Sequence, residues 1–378
     1  MSFFDPIKEI LFGGHTGSSV GIDIGESSIK VVELEKSNEK VVLRNYGEIS
    51  LGSRAGVSSG QATVLSPEKI SAALKDLFNE MGISPKHTTF TIPFKSSLLS
   101  VVELPAVSKK EIETMIPLEA RRYIPVPITE VTLDWWVLPK RKTDSKPPAI
   151  SLPKSISAEP LGKVEVIIAA INNETIKKYE VVKRELRIAN SSSHFEIEVF
   201  STLRAVVGND LSPVMVIDIG AGMTKFAIIE EGVVRASHVV STGGQDITLA
   251  VSKSLKVYVA DAEKIKCRTG MEGEEEGRDV FAVGELILAG ITNEAGRFME
   301  NYENKYKIKI SKIILVGGGA NLKGLIDIFL KKFPSISVAL GDPFARVDAP
   351  AFLAPVIKAL SPNFAAALGS ALKGIEEG

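Results

Sequence analysis

The chain has 378 residues, 44% of them hydrophobic; it is too long for one ordinary core and too apolar for disorder, so two or three packed domains are expected. Its 45 Lys and Arg against 46 Asp and Glu leave a formal net charge of -1, which excludes a global electrostatic footprint for nucleic acid or an anionic membrane. A single Cys267 and four scattered histidines, His15, His87, His194 and His238, exclude a disulfide scaffold, a zinc cluster and a Cys–His nucleophile pair, and fit a reducing compartment.

The N-terminus lacks a signal-peptide pattern, and no stretch approaches the ~18 apolar residues of a membrane span, so a cytosolic protein is expected. The run Phe3, Phe4, Ile7, Ile10, Leu11 and Phe12 has helical spacing and reads as a packed or frayed arm, or as a peripheral membrane or partner contact. Strands follow over 20–24, 29–34 and 41–43, with a Gly/Ser turn after the first. Ser66-Pro67 opens a helix whose stripe Ile70, Ala73, Leu74, Leu77, Phe78 and Met81 runs until Gly82 stops it. Strand composition returns over 88–102. Ser108 to Glu111 is a capping box before Ile112, Met115 and Ile116; Pro117 interrupts or kinks that helix and the Pro-rich 124–127 ends it.

A strand at 132–138 precedes a Lys-, Pro- and Ser-rich stretch, 139–162, that reads as a mobile loop, and a second strand covers 164–170. A helix over 173–188, a strand over 196–200 and a buried strand over 214–219 are expected, and the acidic 271–277 reads as a solvated turn.

One internal repeat carries chemistry. Ile22-Asp-Ile-Gly25 recurs as Ile217-Asp-Ile-Gly220, and in the same register Lys30 falls on Lys225. Each copy reads as strand, Asp-x-Gly, a turn of small or polar residues and a second strand. Such a turn gathers backbone N–H groups and hydroxyls for a phosphate chain, and the Asp, Asp23 or Asp218, can hold a hydrated Mg²⁺; two copies would clamp a nucleotide from both sides. Two glycine clusters, Gly243-Gly244 and Gly317-Gly318-Gly319, each lead toward a helix and let a ligand approach bare backbone. Between them, Glu263, Lys264 and Lys266 lie on a helix start that could reach ribose or base. No P-loop and no Gly-x-Gly-x-x-Gly after the first strand is present.

This ordered set resembles the actin-like ATPase superfamily, which includes actin, sugar kinases, the heat-shock chaperone ATPase domain and FtsA. The stretches 102–105, 119–127 and 131–134 and the ending 365–373 are similar to the PilM family of type IV pilus assembly proteins. The resemblance implies an α/β, two-lobed actin-like ATPase fold with duplicated core subdomains. It places a first-lobe core at 16–92, completed by 170–212 and 356–378, and an inserted subdomain at 93–169. The second-lobe core takes 213–245 and 308–355, with its small subdomain at 246–307. Pro117 and the long 139–162 stretch depart from the family pattern. An FtsA would add an amphipathic membrane helix after a linker, where this sequence stops at Gly378.

The resemblance further implies ATP and Mg²⁺ between the lobes. Asp23 and Asp218 would orient metal-bound water; Gly25, Ser27 and Ser28 would hold phosphate on one side and Gly220, Gly222 and Thr224 on the other. Gly243 and Gly244 would join the cradle, and Lys30 would neutralise phosphate or face solvent. Glu263, Lys264, Lys266 and Gly317 to Gly319 would surround the nucleoside. Glu198 would orient a water for slow hydrolysis. The partner would be the N-terminal cytoplasmic peptide of a PilN-like single-pass membrane protein, docking near Ile124, Pro125, Trp135 and Trp136. On a regular strand the two tryptophans point to opposite sides, so either both are covered or one lines a groove. Pilus motor ATPases are further partners, and the site of action is the inner face of the cytoplasmic membrane. An FtsA-like filament protein, a type II secretion homologue and a small-molecule kinase are the alternatives.

Overall fold

The structure is a computed structural model and describes residues 17–37, 40–85, 87–141, 162–189, 193–272, 274–275 and 278–376. The apolar run at 3–12, His15, most of the 139–162 stretch and part of the acidic 271–277 stretch lie outside these residues.

Two five-stranded sheets repeat one topology. In the first, β1 (Ser18–Ile24), β2 (Ser28–Ser37) and β3 (Lys40–Ser50) form an antiparallel meander, and β1 then pairs in parallel with β4 (Thr88–Ile92), which pairs with β8 (Ser193–Ile197). In the second, β9 (Val214–Ile219), β10 (Thr224–Glu230) and β11 (Val233–Val240) repeat the meander, and β9 pairs in parallel with β14 (Lys312–Val316), then β15 (Ser337–Leu340). The duplicated hairpin, β1–β2 in one copy and β9–β10 in the other, thus lies in the interior of a duplicated sheet, with β3 and β11 outside it.

A third sheet, in the order β5, β7, β6, is antiparallel: β5 (Ser97–Pro105), β6 (Val131–Val137) and β7 (Lys163–Asn172). One face carries Val102, Leu104, Val166 and Ile168 against Ile112, Ile116 and Ala120 of α3 (Lys109–Ala120). The other face, with Leu99, Ile167 and Ile171, joins the apolar core that also holds Val214 and Val216 of the second sheet.

Helix α1 (Gly52–Ala55) is a single turn, and α2 (Pro67–Met81) runs over the expected residues, with the Ser66 side chain accepting from Lys69 N–H and Gly82 at φ 65° closing its end. The Ser108 capping box of α3 is present, and Pro117 sits inside the helix without ending it. The helix stops at Ala120 rather than at 124: its last turn tightens into i→i−3 bonds from Arg122 and Tyr123 N–H, and Ile124, whose N–H still donates to the Ala120 carbonyl, buries its side chain in the insert core. The expected strand at 196–200 is corrected: β8 ends at Ile197, and α5 (Glu198–Val206) begins at Glu198, whose acid suits a helix start. The expected helix at 173–188 is α4 (Asn173–Glu185), capped by the Asn172 side chain.

The second sheet is flanked by α6 (Gly244–Leu255), α7 (Val259–Thr269), α8 (Val280–Tyr306) and α9 (Leu325–Lys332), and a two-residue ladder pairs β12 (Glu274–Glu275) with β13 (Arg278–Asp279). The C-terminal run Ala351–Glu376 is apolar and long enough to cross a membrane, contrary to the expectation that no stretch would be. It folds as α10 (Ala354–Leu360), a 3-10 turn and α11 (Ala365–Glu376), and α11 is a core helix. Small residues on both sides permit that: a Cβ on Gly369 of α11 would meet the Ser201 carbonyl oxygen at 1.7 Å, and one on Gly21 of β1 would meet that of Ala367 at 2.0 Å.

Two buried ionic clusters fasten these layers. Between the insert and the second sheet, Arg141 bonds Glu165 at 2.8 Å and Glu230 at 2.9 Å, and the fully buried Arg235 bonds Glu165 at 3.0 Å and the Pro139 carbonyl at 3.0 Å. Tyr302 donates to Glu230 at 2.7 Å, and the Tyr306 ring lies 3.8 Å from the Arg141 guanidinium. Between β8, α5 and α11, Glu196 receives both arms of Arg204 at 2.7 and 2.8 Å, the Ser201 hydroxyl, and Lys373 at 3.6 Å.

Burial alone would raise the Glu196 carboxyl, but the Arg204 and Lys373 charges and the bonds from Arg204 and Ser201 outweigh it and hold it down to about 2. A depressed folded pKa stabilises above the unfolded value, near 4.5, and that contribution is lost as pH falls from there toward 2. Glu196→Gln should therefore cost about 3–5 kcal/mol at neutral pH, because Arg204 and Lys373 then face a neutral amide in the interior. The urea-midpoint gap to wild type is expected to hold steady above about pH 5 and to narrow below it. A gap that stays constant down to about pH 3 would contradict this assignment.

Candidate functional site

A cavity of about 1030 Å³ opens between the two repeated sheets. One wall is the first hairpin, with Asp23, Gly25, Ser27, Ser28 and Lys30, and the facing wall holds Asp218, Gly220 and Gly244. The turns are matched: Gly25 N–H donates to the Ser28 carbonyl at 3.0 Å, and Gly220 N–H to that of Met223 at 2.9 Å. Both lysines sit directly across the hairpin from the aspartates, Lys30 opposite Asp23 and Lys225 opposite Asp218.

Some expected phosphate residues lie behind this surface. Thr224 is fully buried and its hydroxyl donates to the Thr242 carbonyl at 2.8 Å, so it is corrected from a phosphate ligand to a bolt holding the second hairpin. Gly243 packs beneath the same turn, where a Cβ would meet the Ala221 carbonyl oxygen at 2.6 Å and the Met223 nitrogen at 2.7 Å. Gly222 does not line the cavity; its N–H crosses to the first lobe, donating to Glu26 Oε2 at 3.2 Å. A second crossing runs from Ala62 N–H to Gln245 Oε1 at 3.0 Å.

The floor is acidic. Asp23 accepts from the Thr91 hydroxyl at 2.7 Å, and Glu198 accepts from Phe94 N–H at 2.6 Å. Lys225 Nζ lies 3.0 Å from Asp218 Oδ2 and 3.0 Å from Glu198 Oε2. Burial would lower the Lys225 ammonium, but the Asp218 and Glu198 charges overcome it and hold it well above the ordinary lysine range. Burial raises the Glu198 carboxyl; Lys225 pulls it down, Asp218 and Asp23 push it up, and the net direction is upward. The two directions agree physically: the ammonium gains two carboxylates, whereas Glu198 shares one cation and sees two like charges. Lys30, by contrast, turns to the Ser28 hydroxyl at 2.8 Å and to Glu48 at 3.5 Å while still lining the cavity.

On the second lobe, Lys266 Nζ is held by Glu263 at 2.7 Å, the Thr248 hydroxyl at 2.9 Å and the Gly244 carbonyl at 3.2 Å, and both Glu263 and Lys266 line the cavity. Lys264 does not; it is exposed and paired with Asp261 at 3.0 Å. The triple-glycine turn divides its work. Gly317, at φ 83°, lies so close to Asp218 that a Cβ would be 2.2 Å from Oδ1, whereas a Cβ on Gly318 would find its nearest neighbour, Asn363 Oδ1, at 3.9 Å. Gly318 therefore presents bare backbone to the cavity and Gly317 permits the turn.

The same cavity continues to the insert, where Leu98, Pro125, Val126 and Val131 face Glu174, Lys178 and Tyr179 of α4. Ile124 touches the cavity but is 8% exposed and belongs to the insert core, whereas Val126 is 37% exposed. The tryptophans do point to opposite sides, and each is half-buried: Trp135 packs on the insert core and Trp136 on the core shared with the lobes. Neither lines the cavity, which corrects their placement as groove residues.

Sequence reasoning assigned no role to Lys225, although the in-register repeat of Lys30 marked it. It also missed Glu26 and Gln245, whose interlobe bonds form between residues far apart in sequence and leave no local signal.

Comparison with known proteins is consistent with this geometry. The chain is 26% identical to the ethanolamine utilization protein EutJ of Escherichia coli (strain K12) over 125 residues, 33% of this chain and 40% of EutJ, so it spans less than half of that relative. It is 23% identical to the cell division protein FtsA of Staphylococcus epidermidis over 343 residues, 82% of this chain and 71% of that FtsA. A solved PilM-PilN type IV pilus biogenesis complex superposes with a TM-score of 0.76 at 22% identity, covering 96% of this chain and 99% of the matched one, and the shared fold is the two-lobed actin-like ATPase fold. The family model described as type IV pilus assembly protein PilM matches residues 21–375, and the chain belongs to the PilM family.

Proposed function

We propose that this chain is a nucleotide-binding component of the type IV pilus assembly platform. It holds ATP with Mg²⁺ between its lobes and receives the N-terminal cytoplasmic peptide of a PilN-like single-pass membrane protein at the insert. That peptide brings it to the inner face of the cytoplasmic membrane, within reach of the pilus motor ATPases. The observation that carries the nucleotide reading is the pair of equivalent Asp-x-Gly hairpins facing one cavity of about 1030 Å³.

The residues present fit the ligand. Ser27, Ser28 and Lys30 supply hydroxyls and a cation for phosphate, Gly25 and Gly220 bring backbone close, and the open face of Gly318 suits a nucleoside. Among the described residues no group of three or more His, Cys, Asp or Glu could hold a metal ion alone. Mg²⁺ would accordingly take its ligands chiefly from phosphate and water, with Asp23 and Asp218 orienting that water. When bound, the ion supplies charge neutralisation at phosphate oxygens. In this reading Glu198 would orient an attacking water, and its bonds to Phe94 and Lys225 fit slow turnover. The peptide reading rests on the extension of the cavity between Pro125, Val126 and α4, whose apolar lip and Lys178 suit an extended or short helical segment.

Calorimetry tests both. Gly318→Val should keep the melting temperature and weaken Mg·ATP binding at least about tenfold, or 1.4 kcal/mol, because its side chain enters the cavity. Undiminished affinity would remove the nucleoside from this turn. For the peptide, Val126→Asp is the sharper probe than any change at Ile124, which would unsettle the insert core. It should weaken binding of the PilN-like N-terminal peptide at least about tenfold while leaving Mg·ATP affinity unchanged; equal peptide binding would place the partner elsewhere.

A further inference from the structure

The repeated lysines have diverged. Lys30 and Lys225 occupy the same register opposite Asp23 and Asp218, yet Lys30 stays on its own sheet, with Ser28 and Glu48. Lys225 instead bonds Asp218 of its own hairpin at 3.0 Å and crosses the cleft to Glu198 of the other lobe, also at 3.0 Å. Glu198 in turn has one oxygen on Lys225 and the other on Phe94 N–H, at the point where the chain leaves the first sheet for the insert. We propose that Lys225 is a positioning residue that straps Glu198 across the cleft, holding the lobes together without a ligand and setting the site to retain nucleotide rather than hydrolyse it. The proposal rests on the nucleotide reading above.

The chemistry follows from what hydrolysis requires. A water oxygen forms a bond to the terminal phosphorus, the bond from that phosphorus to the bridging oxygen breaks, its electron pair leaves with the diphosphate, and a proton from the water goes to an acceptor. Glu198 is the carboxylate placed to be that acceptor, but its charge is already shared with a buried ammonium and a backbone N–H. An acceptor so engaged holds a water poorly and takes its proton reluctantly. The groups around it are Lys225 of β10, Asp218 of β9, Asp23 of β1 and Tyr179 of α4, whose hydroxyl burial, Asp23 and Glu198 all push up. Lys225 is the cation among these neighbours, and its removal leaves Glu198 tied only through Phe94.

The test compares wild type with Lys225→Met, Lys225→Arg, Lys225→Gln and the double variant Lys225→Met/Glu198→Gln. Lys225→Met and Lys225→Gln should raise kcat for ATP hydrolysis by about tenfold or more, within the range of a freed general base, while KM stays within about threefold. The arginine variant should restore the low wild-type rate by rebuilding the strap, and the double variant should lose the whole gain, falling to or below the wild-type rate, because the acceptor is gone. A second readout needs no nucleotide: spin labels at Asn79 in α2 and Lys331 in α9, with Cys267 replaced by Ser, report the interlobe distance. The distribution should broaden or lengthen in the methionine and glutamine variants but not in the arginine variant. Methionine and glutamine variants that bind ATP but hydrolyse it no faster than wild type overturn the proposal, as do unchanged interlobe distances. So does a loss of ATP affinity with no gain in turnover, which would make Lys225 a phosphate ligand. Failure of wild type itself to bind ATP sinks the nucleotide reading, and the interlobe distances then still decide the strap.

Discussion

Three carboxylates, Asp23, Asp218 and Glu198, are brought to the floor of one cavity where the two sheets meet over a shared apolar core, and like charges in a poorly solvated cleft repel. The ammonium of Lys225 offsets that repulsion between two of them and does so across the boundary between the lobes. The shape of the cleft depends on this exchange. The hairpin turns are joined across the cleft by Lys225 to Glu198, Gly222 to Glu26 and Ala62 to Gln245, and behind them the two sheets share an apolar core that includes Val20, Ile22, Val214 and Val216. A ligand that brings its own cations and anions into this floor competes with those bonds directly.

The insert extends the constraint. It leaves the first sheet beside Phe94, whose N–H Glu198 holds, and it is riveted to the second lobe by Arg141 and Arg235 on Glu165 and Glu230. Buried ionic networks of this kind are costly to form and costlier to break singly, so they favour rigid-body movement over local yielding. A change in lobe separation would therefore be felt between the insert and α4, where the cavity continues past Val126. Coupling between a nucleotide and a peptide needs only that each prefer one lobe arrangement.

Much of this was legible in the sequence where the chemistry is local. The Asp-x-Gly hairpins, the Ser66 and Ser108 caps and the Gly317–Gly319 turn are set by neighbouring residues, and they fold as their patterns indicate. Misreadings arose where a distant partner decides. Thr224 has the residue type of a phosphate ligand, but the Thr242 carbonyl takes its hydroxyl. Ile124 stands among prolines like a loop residue, yet the third sheet and α3 bury it. Alternation placed Trp135 and Trp136 on opposite faces correctly and could not say that each would half-bury against a different core. Glu198 reads as strand from its apolar neighbours, and only the parallel pairing of β8 with β4 fixes where that strand stops.

Hydrogen exchange on the full-length protein with and without Mg·ATP addresses the central claim most directly, that a single ligand is gripped by both copies of the repeated hairpin. The account predicts slowed exchange on ligand addition at Gly25–Ser28, at Gly220–Met223 and at Gly317–Gly319 together, with the sheets behind them little changed. Protection confined to one lobe, or found only outside these turns, would contradict it.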